Sequence, residues 1–131
     1  MVELACAGLP PLEASRLEEG AEKSYSIHTI ERIGLQIGDR LFYLIGADAF
    51  AEIETWHRWR DVIAKTEFIV ASRPGHAYNV PEGARAYRLD TLNLDVSSTA
   101  IREQFLRGVR PDGLADPVCN YIVSHKLYTH P

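Results

Sequence analysis

Ser97-Ser98-Thr99-Ala100-Ile101-Arg102 puts three hydroxyls and an arginine where a helix is expected to begin. A helix N-terminus offers unpaired N–H groups and a partial positive charge, so with these side chains it is suited to hold a phosphate. The same residues have a plainer use, in which Ser97 or Ser98 only caps the helix and Arg102 is a solvated charge. Two further segments follow apolar runs, where open parallel sheets bind ligands. Gly46-Ala47-Asp48 joins a glycine that permits close backbone approach to an aspartate able to accept hydrogen bonds from ribose hydroxyls, or merely to cap the next helix. Arg73-Pro74-Gly75 follows the second run. In Trp56-His57-Arg58-Trp59 the two indoles are either core packing or, for one of them, a platform for a flat heterocycle.

Other chemistries lack their residues. There is no Gly-x-x-x-x-Gly-Lys-Ser/Thr loop and no Gly-x-Gly-x-x-Gly, which sets aside a P-loop NTPase and a standard dinucleotide fingerprint. No nucleophile elbow is present. His57, His76, His125 and His130 show no metal-ligand spacing, so no metal is assigned to protein ligands. Cys6 and Cys119 are far apart, without a Cys-x-x-Cys pattern, and read as small hydrophobes. A net charge of -4 argues against a general nucleic-acid binder. Arg85, Arg88, Arg102, Arg107 and Arg110 nevertheless cluster late in the chain, a local excess that suits a small anion.

These residues need a scaffold. A chain of 131 residues, 46% hydrophobic and 24% charged, is one soluble globular domain's worth. No apolar run approaches the ~18 residues of a membrane span, and Glu3 stands where a signal peptide would be basic, so a cytoplasmic protein is expected. Met1 to Ala7 reads as the tail of a helix stopped by Gly8 and Pro10-Pro11, and Leu12 to Leu17 as a short strand. Ser24 or Ser26 caps a helix with Ile27, Ile30 and Ile33 on one face, ended by Gly34. Leu41-Phe42-Tyr43-Leu44-Ile45 is apolar throughout, as in a parallel strand covered on both faces. Thr55 opens a helix carrying Trp56, Trp59, Arg60 and Ile63, and Phe68 to Ala71 is a second buried strand. A weaker strand at Ala86 to Leu89 and an alternating Leu92, Leu94 and Val96 precede a helix with Ile101, Phe105 and Leu106 inward, ended by Gly108. Asp116-Pro117 starts a last helix with Val118, Tyr121, Ile122 and His125 on one stripe. Alternating strands and helices predict an α/β layer fold with a mainly parallel sheet.

Taken in order, Ser24-Tyr25-Ser26-Ile27-His28-Thr29-Ile30, Phe42 to Asp48, Thr55-Trp56, Ile69 to Gly75, Val96 to Arg102, and Tyr121-Ile122 with Leu127-Tyr128 resemble bacterial nicotinate-nucleotide adenylyltransferase, of the His-x-Gly-His nucleotidyltransferase superfamily. The Ser-Ser-Thr-x-Ile-Arg element is the strongest single match. The resemblance implies a Rossmann-like nucleotidyltransferase fold. It also implies transfer of AMP from ATP, accompanied by Mg²⁺, to nicotinate mononucleotide in NAD biosynthesis, with no covalent enzyme intermediate. Carried over by position, Ser97, Thr99 and Arg102 would hold ATP phosphates, and Gly46 and Asp48 the adenosine ribose region. Thr29 and Trp56 would hold the nicotinate end, Trp56 by stacking, with Arg73 in a matching motif on the mononucleotide side.

Two departures stand out. His28 replaces the aspartate usual before the threonine of the Ser-Tyr-Thr-x-Asp-Thr-Leu motif. The family's Gly-x-Phe-x-Pro-x-His-x-Gly-His segment, whose histidines bind ATP phosphates, has no counterpart, so no catalytic residue is assigned. Met1 aligns inside the helix after the family's second strand. Residues 1–131 are therefore expected to form a single incomplete domain, with 97–131 its C-terminal helical part. Leu12 to Leu17 would lack a partner, and Leu41 to Ile45 would expose an apolar edge that invites self-association. Turnover by this chain is expected to be weak or absent. The alternatives are a non-catalytic nucleotide-binding or interaction module, or a sister adenylyltransferase for nicotinamide mononucleotide or phosphopantetheine.

Overall fold

The β-forming runs assemble as expected, into three parallel strands: β1 (Phe42–Gly46), β2 (Glu67–Ala71) and β3 (Arg85–Leu89), in the order β1-β2-β3. Phe42 pairs with Glu67 and Gly46 with Ala71 in one register, and Glu67 with Arg85 and Ala71 with Leu89 in the other. The computed structural model describes residues 1–20, 22–37, 40–72, 77–90 and 96–129. They pack as two compact units, residues 17–93 and residues 1–16 with 94–131.

In the unit of residues 17–93, helices α2 (Ser26–Ile37), α3 (Ala47–Ala51) and α4 (Trp59–Lys65) accompany the sheet. Strand side chains alternate between faces. Ile45, Phe68 and Val70 join Ile27, Ile30, Phe50, Ile53, Val62 and Ile63 in one buried cluster, with Tyr43 packed against it. Phe42 and Leu44 point the other way and remain 44% and 66% exposed. The expectation that this strand is covered on both faces is therefore corrected: β2 is the buried strand, while β1 pairs only with β2 among the described residues.

Three local expectations also change. Gly34 does not end α2, which runs on to Ile37; the exposed glycine keeps helical geometry at a propensity cost of about 1 kcal/mol. Thr55 does not open a helix. It closes a 3₁₀ turn over Ile53–Thr55, its hydroxyl donating to the Glu52 carbonyl at 2.7 Å, and α4 begins at Trp59 behind Arg58 in the left-handed region (φ 53). Leu12 to Leu17 is no strand, since each described strand pairs within the three-stranded sheet and none reaches this segment; the Arg32 guanidinium donates to the Leu17 carbonyl instead.

The other unit contains α1 (Val2–Cys6), α5 (Ser98–Leu106) and α6 (Asp116–Ser124). Val118, Cys119 and Ile122 are the buried side of α6. Ala115 is its N-cap, so Asp116 is the first helical residue rather than the cap and pairs with Arg110 at 2.5 Å. Ser97 caps α5 by accepting a hydrogen bond from the Ala100 N–H at 3.1 Å. Leu92 and Leu94 lie outside the described residues. No described helix is long and apolar enough to cross a membrane.

Candidate functional site

Each helix that leads into a parallel strand runs back along the sheet, so α2 and α4 begin at the carboxyl ends of the strands. The chain order therefore brings the first turn of α2, the segment before α4 and the end of β1 to one rim, the side on which such sheets bind ligands. Thr29, Trp56, Gly46 and Asp48 all belong to this rim.

Gly46 ends β1 and is the N-cap of α3, with φ -71 and ψ 150. Any residue adopts that conformation, and a Cβ added there would meet nothing within 4 Å among the described residues. The fold thus does not require glycine at 46, whereas a ligand lying against the backbone would. Asp48 is exposed in the first turn of α3 and no side chain caps that helix, which removes capping as its use.

Trp56 and Thr29 have separate sets of neighbours. Trp56 is half-buried with its ring edge-on to Tyr43 at 5.9 Å, and the Tyr43 hydroxyl shares a hydrogen bond with Ser26 Oγ at 3.4 Å. Tyr25 lies 4.4 Å from the His57 ring and 5.8 Å from His28, and the two imidazoles are 6.1 Å apart. His28, in place of the family's aspartate, faces this aromatic group. Thr29 Oγ1 donates to Glu18 Oε1 at 2.5 Å. That bond, with one from Ser24, holds the Glu18 carboxyl below the usual carboxylate range despite some desolvation. Sequence reading missed Glu18, because an exposed acid in an irregular segment has no periodicity or motif to mark it.

Ser97, Thr99 and Arg102 belong to the other unit. Ser97 is the cap that the plainer reading required, yet its hydroxyl only accepts in that role and keeps a proton to donate. Thr99 is exposed in the first turn, and the Arg102 guanidinium lies 5.7 Å from the Tyr128 ring centroid. Arg73 falls outside the described residues. Among those described, no group of three or more His, Cys, Asp or Glu is placed to hold a metal ion.

The strongest charge perturbation lies at the opposite end of the sheet. Glu67, the 2% exposed first residue of β2, accepts from Arg40 at 2.9 and 2.6 Å and from the Tyr87 hydroxyl at 2.8 Å, with Arg85 at 3.6 Å. Hydrogen bonds from Arg40 and Tyr87 hold its carboxyl at about 2. Its partners and its place at the amino ends of the strands make this a clamp between strands.

Residues 2–104 match the cytidylyltransferase-like family model. The chain is 48% identical over 130 residues to the probable nicotinate-nucleotide adenylyltransferase of Solibacter usitatus, covering 98% of this chain and 69% of that one. It is 34% identical over 139 residues to the protein of the same name from Bordetella pertussis, covering 98% and 70%. Among solved structures, Plasmodium falciparum nicotinic acid mononucleotide adenylyltransferase complexed with APC aligns with a TM-score of 0.74 at 14% identity, over 99% of this chain and 72% of that one. That likeness speaks to the fold, a Rossmann-like nucleotidyltransferase arrangement.

Proposed function

The chain belongs to the nicotinate-nucleotide adenylyltransferase family, within the cytidylyltransferase-like nucleotidyltransferases, and from that premise we propose that it serves transfer of AMP from ATP to nicotinate mononucleotide. A phosphate oxygen of the mononucleotide attacks the α-phosphorus of ATP. The new P–O bond joins the two nucleotides, the bond to the β-phosphate breaks, and pyrophosphate leaves with its electron pair. Positioning and charge neutralisation supply most of the catalysis in such a displacement, with Mg²⁺ entering as Mg·ATP.

The observation that carries this reading is the gathering of Gly46, Asp48, Thr29 and Trp56 at one sheet rim. Gly46 lets the adenosine moiety lie against the backbone, and Asp48 accepts from its ribose hydroxyls. Thr29 and Trp56 meet the nicotinate ring, Trp56 by stacking. Ser97, Thr99 and Arg102 bind ATP phosphates, and Arg73 contacts the mononucleotide. The reaction is placed in the cytoplasm, and the exposed β1 strand provides for association between copies.

The chain spans about 70% of the length of the curated relatives it matches. The test is calorimetric binding of ATP, nicotinate mononucleotide and nicotinate adenine dinucleotide by the 131-residue chain, beside an assay of pyrophosphate release. Binding of all three with release of pyrophosphate is expected. Binding without any release would favour the alternative of a nucleotide-binding module, and failure to bind the dinucleotide would overturn both.

A further inference from the structure

A threonine hydroxyl has one proton to give. At 2.5 Å from Glu18 Oε1, the Thr29 proton is committed to the carboxylate. Glu18, Lys23, Ser24, His28, Thr29 and Arg32 line one small cavity of about 50 Å³, so the Thr29–Glu18 pair sits in a polar pocket. What Thr29 keeps for a ligand is lone pairs. A carboxylate on a bound ring is acceptor-only, so facing Thr29 in this state it gains no hydrogen bond and meets lone pairs with lone pairs. A carboxamide carries two N–H donors and can donate to the same oxygen.

We propose that Glu18 is a positioning residue that presents Thr29 to the ligand as a hydrogen-bond acceptor, and so narrows the margin by which the carboxylate ring of nicotinate mononucleotide is preferred over the carboxamide ring of nicotinamide mononucleotide. The proposal rests on the reading that Thr29 meets the pyridine substituent. It assigns to an exposed acid, outside any motif, part of the choice between two substrates that differ in one functional group.

The test measures Kd for both mononucleotides by calorimetry on the 131-residue chain and on E18A, T29V, T29S and the E18A/T29V double variant. One net hydrogen bond contributes roughly three- to tenfold in affinity. E18A is therefore expected to shift the ratio of affinities toward nicotinate mononucleotide by about that factor, tightening one ligand while weakening the other. The shift is expected to disappear when Thr29 is valine and to persist when it is serine. A structural defect would weaken both ligands together. An unchanged ratio in E18A overturns the inference alone. A shift of equal size in the valine background also does so, because it would mark the loss of a negative charge rather than the turning of a hydroxyl. Binding of neither mononucleotide by the parent chain would overturn the reading of the site, and the inference with it.

Discussion

Gly46 separates the demands of folding from those of binding within one residue. With φ -71, ψ 150 and open space around a would-be Cβ among the described residues, alanine fits the folded chain and restricts the unfolded one. G46A is therefore expected to leave stability unchanged or to raise it by about 0.4–1 kcal/mol in urea denaturation. If the adenosine moiety packs against this backbone, the added methyl intrudes on the ligand at a cost of roughly 1–3 kcal/mol, lowering ATP affinity about five- to hundredfold by calorimetry. An alanine variant that binds ATP as tightly as the parent would remove Gly46 from the site. Thr29 poses the converse case, because its hydroxyl is already engaged with Glu18. On the proposed reading, what it offers a ligand depends on a neighbour that the motif around it does not contain.

Among the elements, β2 holds the sheet together at its amino end through Glu67. The carboxyl lies at about 2 in the folded chain, against an ordinary value of 4.5, chiefly through hydrogen bonds from Arg40 and Tyr87. A depressed carboxyl stabilises the fold in full above its unfolded value, and that contribution is lost as pH falls from about 4.5 toward 2. Stability measured by urea denaturation is expected to fall across this window, and E67Q, which has no carboxyl to protonate, to be less stable at pH 7 and to show a flatter acid limb. An acid limb of unchanged steepness in E67Q would place the titration elsewhere. This clamp was not legible in the sequence, since Glu67 opens an apolar strand and its partners come from positions 40, 85 and 87. The strands were legible because runs such as Phe68-Ile69-Val70 leave little alternative, and the start of α5 because Ser97 caps it, although no residue of that helix is buried and Leu106, expected inward, is 43% exposed. The turn before α4 was misread. Trp56, Trp59 and Ile63 share helical spacing, but the chain reaches Trp59 through an extended Trp56 and a left-handed Arg58, and spacing alone does not report such a break.

At the scale of the whole molecule, the consequence of this layout is a strand, β1, that among the described residues pairs along one edge only. Beyond β2, no described strand pairs with β1, and its outward residues Phe42 and Leu44 are 44% and 66% exposed. A strand edge with free N–H and C=O groups beside exposed apolar side chains is a template for pairing with another chain. The 131-residue polypeptide is therefore expected to self-associate through β1, with a sedimentation coefficient that rises with concentration. L44K puts a charge in the middle of that strand, where desolvation on pairing would penalise it, while an exposed position leaves the fold's own stability within about 0.5 kcal/mol. The variant is expected to sediment as a monomer over the range in which the parent associates. A parent that stays monomeric throughout, or an L44K chain that associates equally well, would show that the exposed strand is not the contact. In that second outcome the other exposed apolar residues, Leu35 at 89% first among them, become the surface to vary.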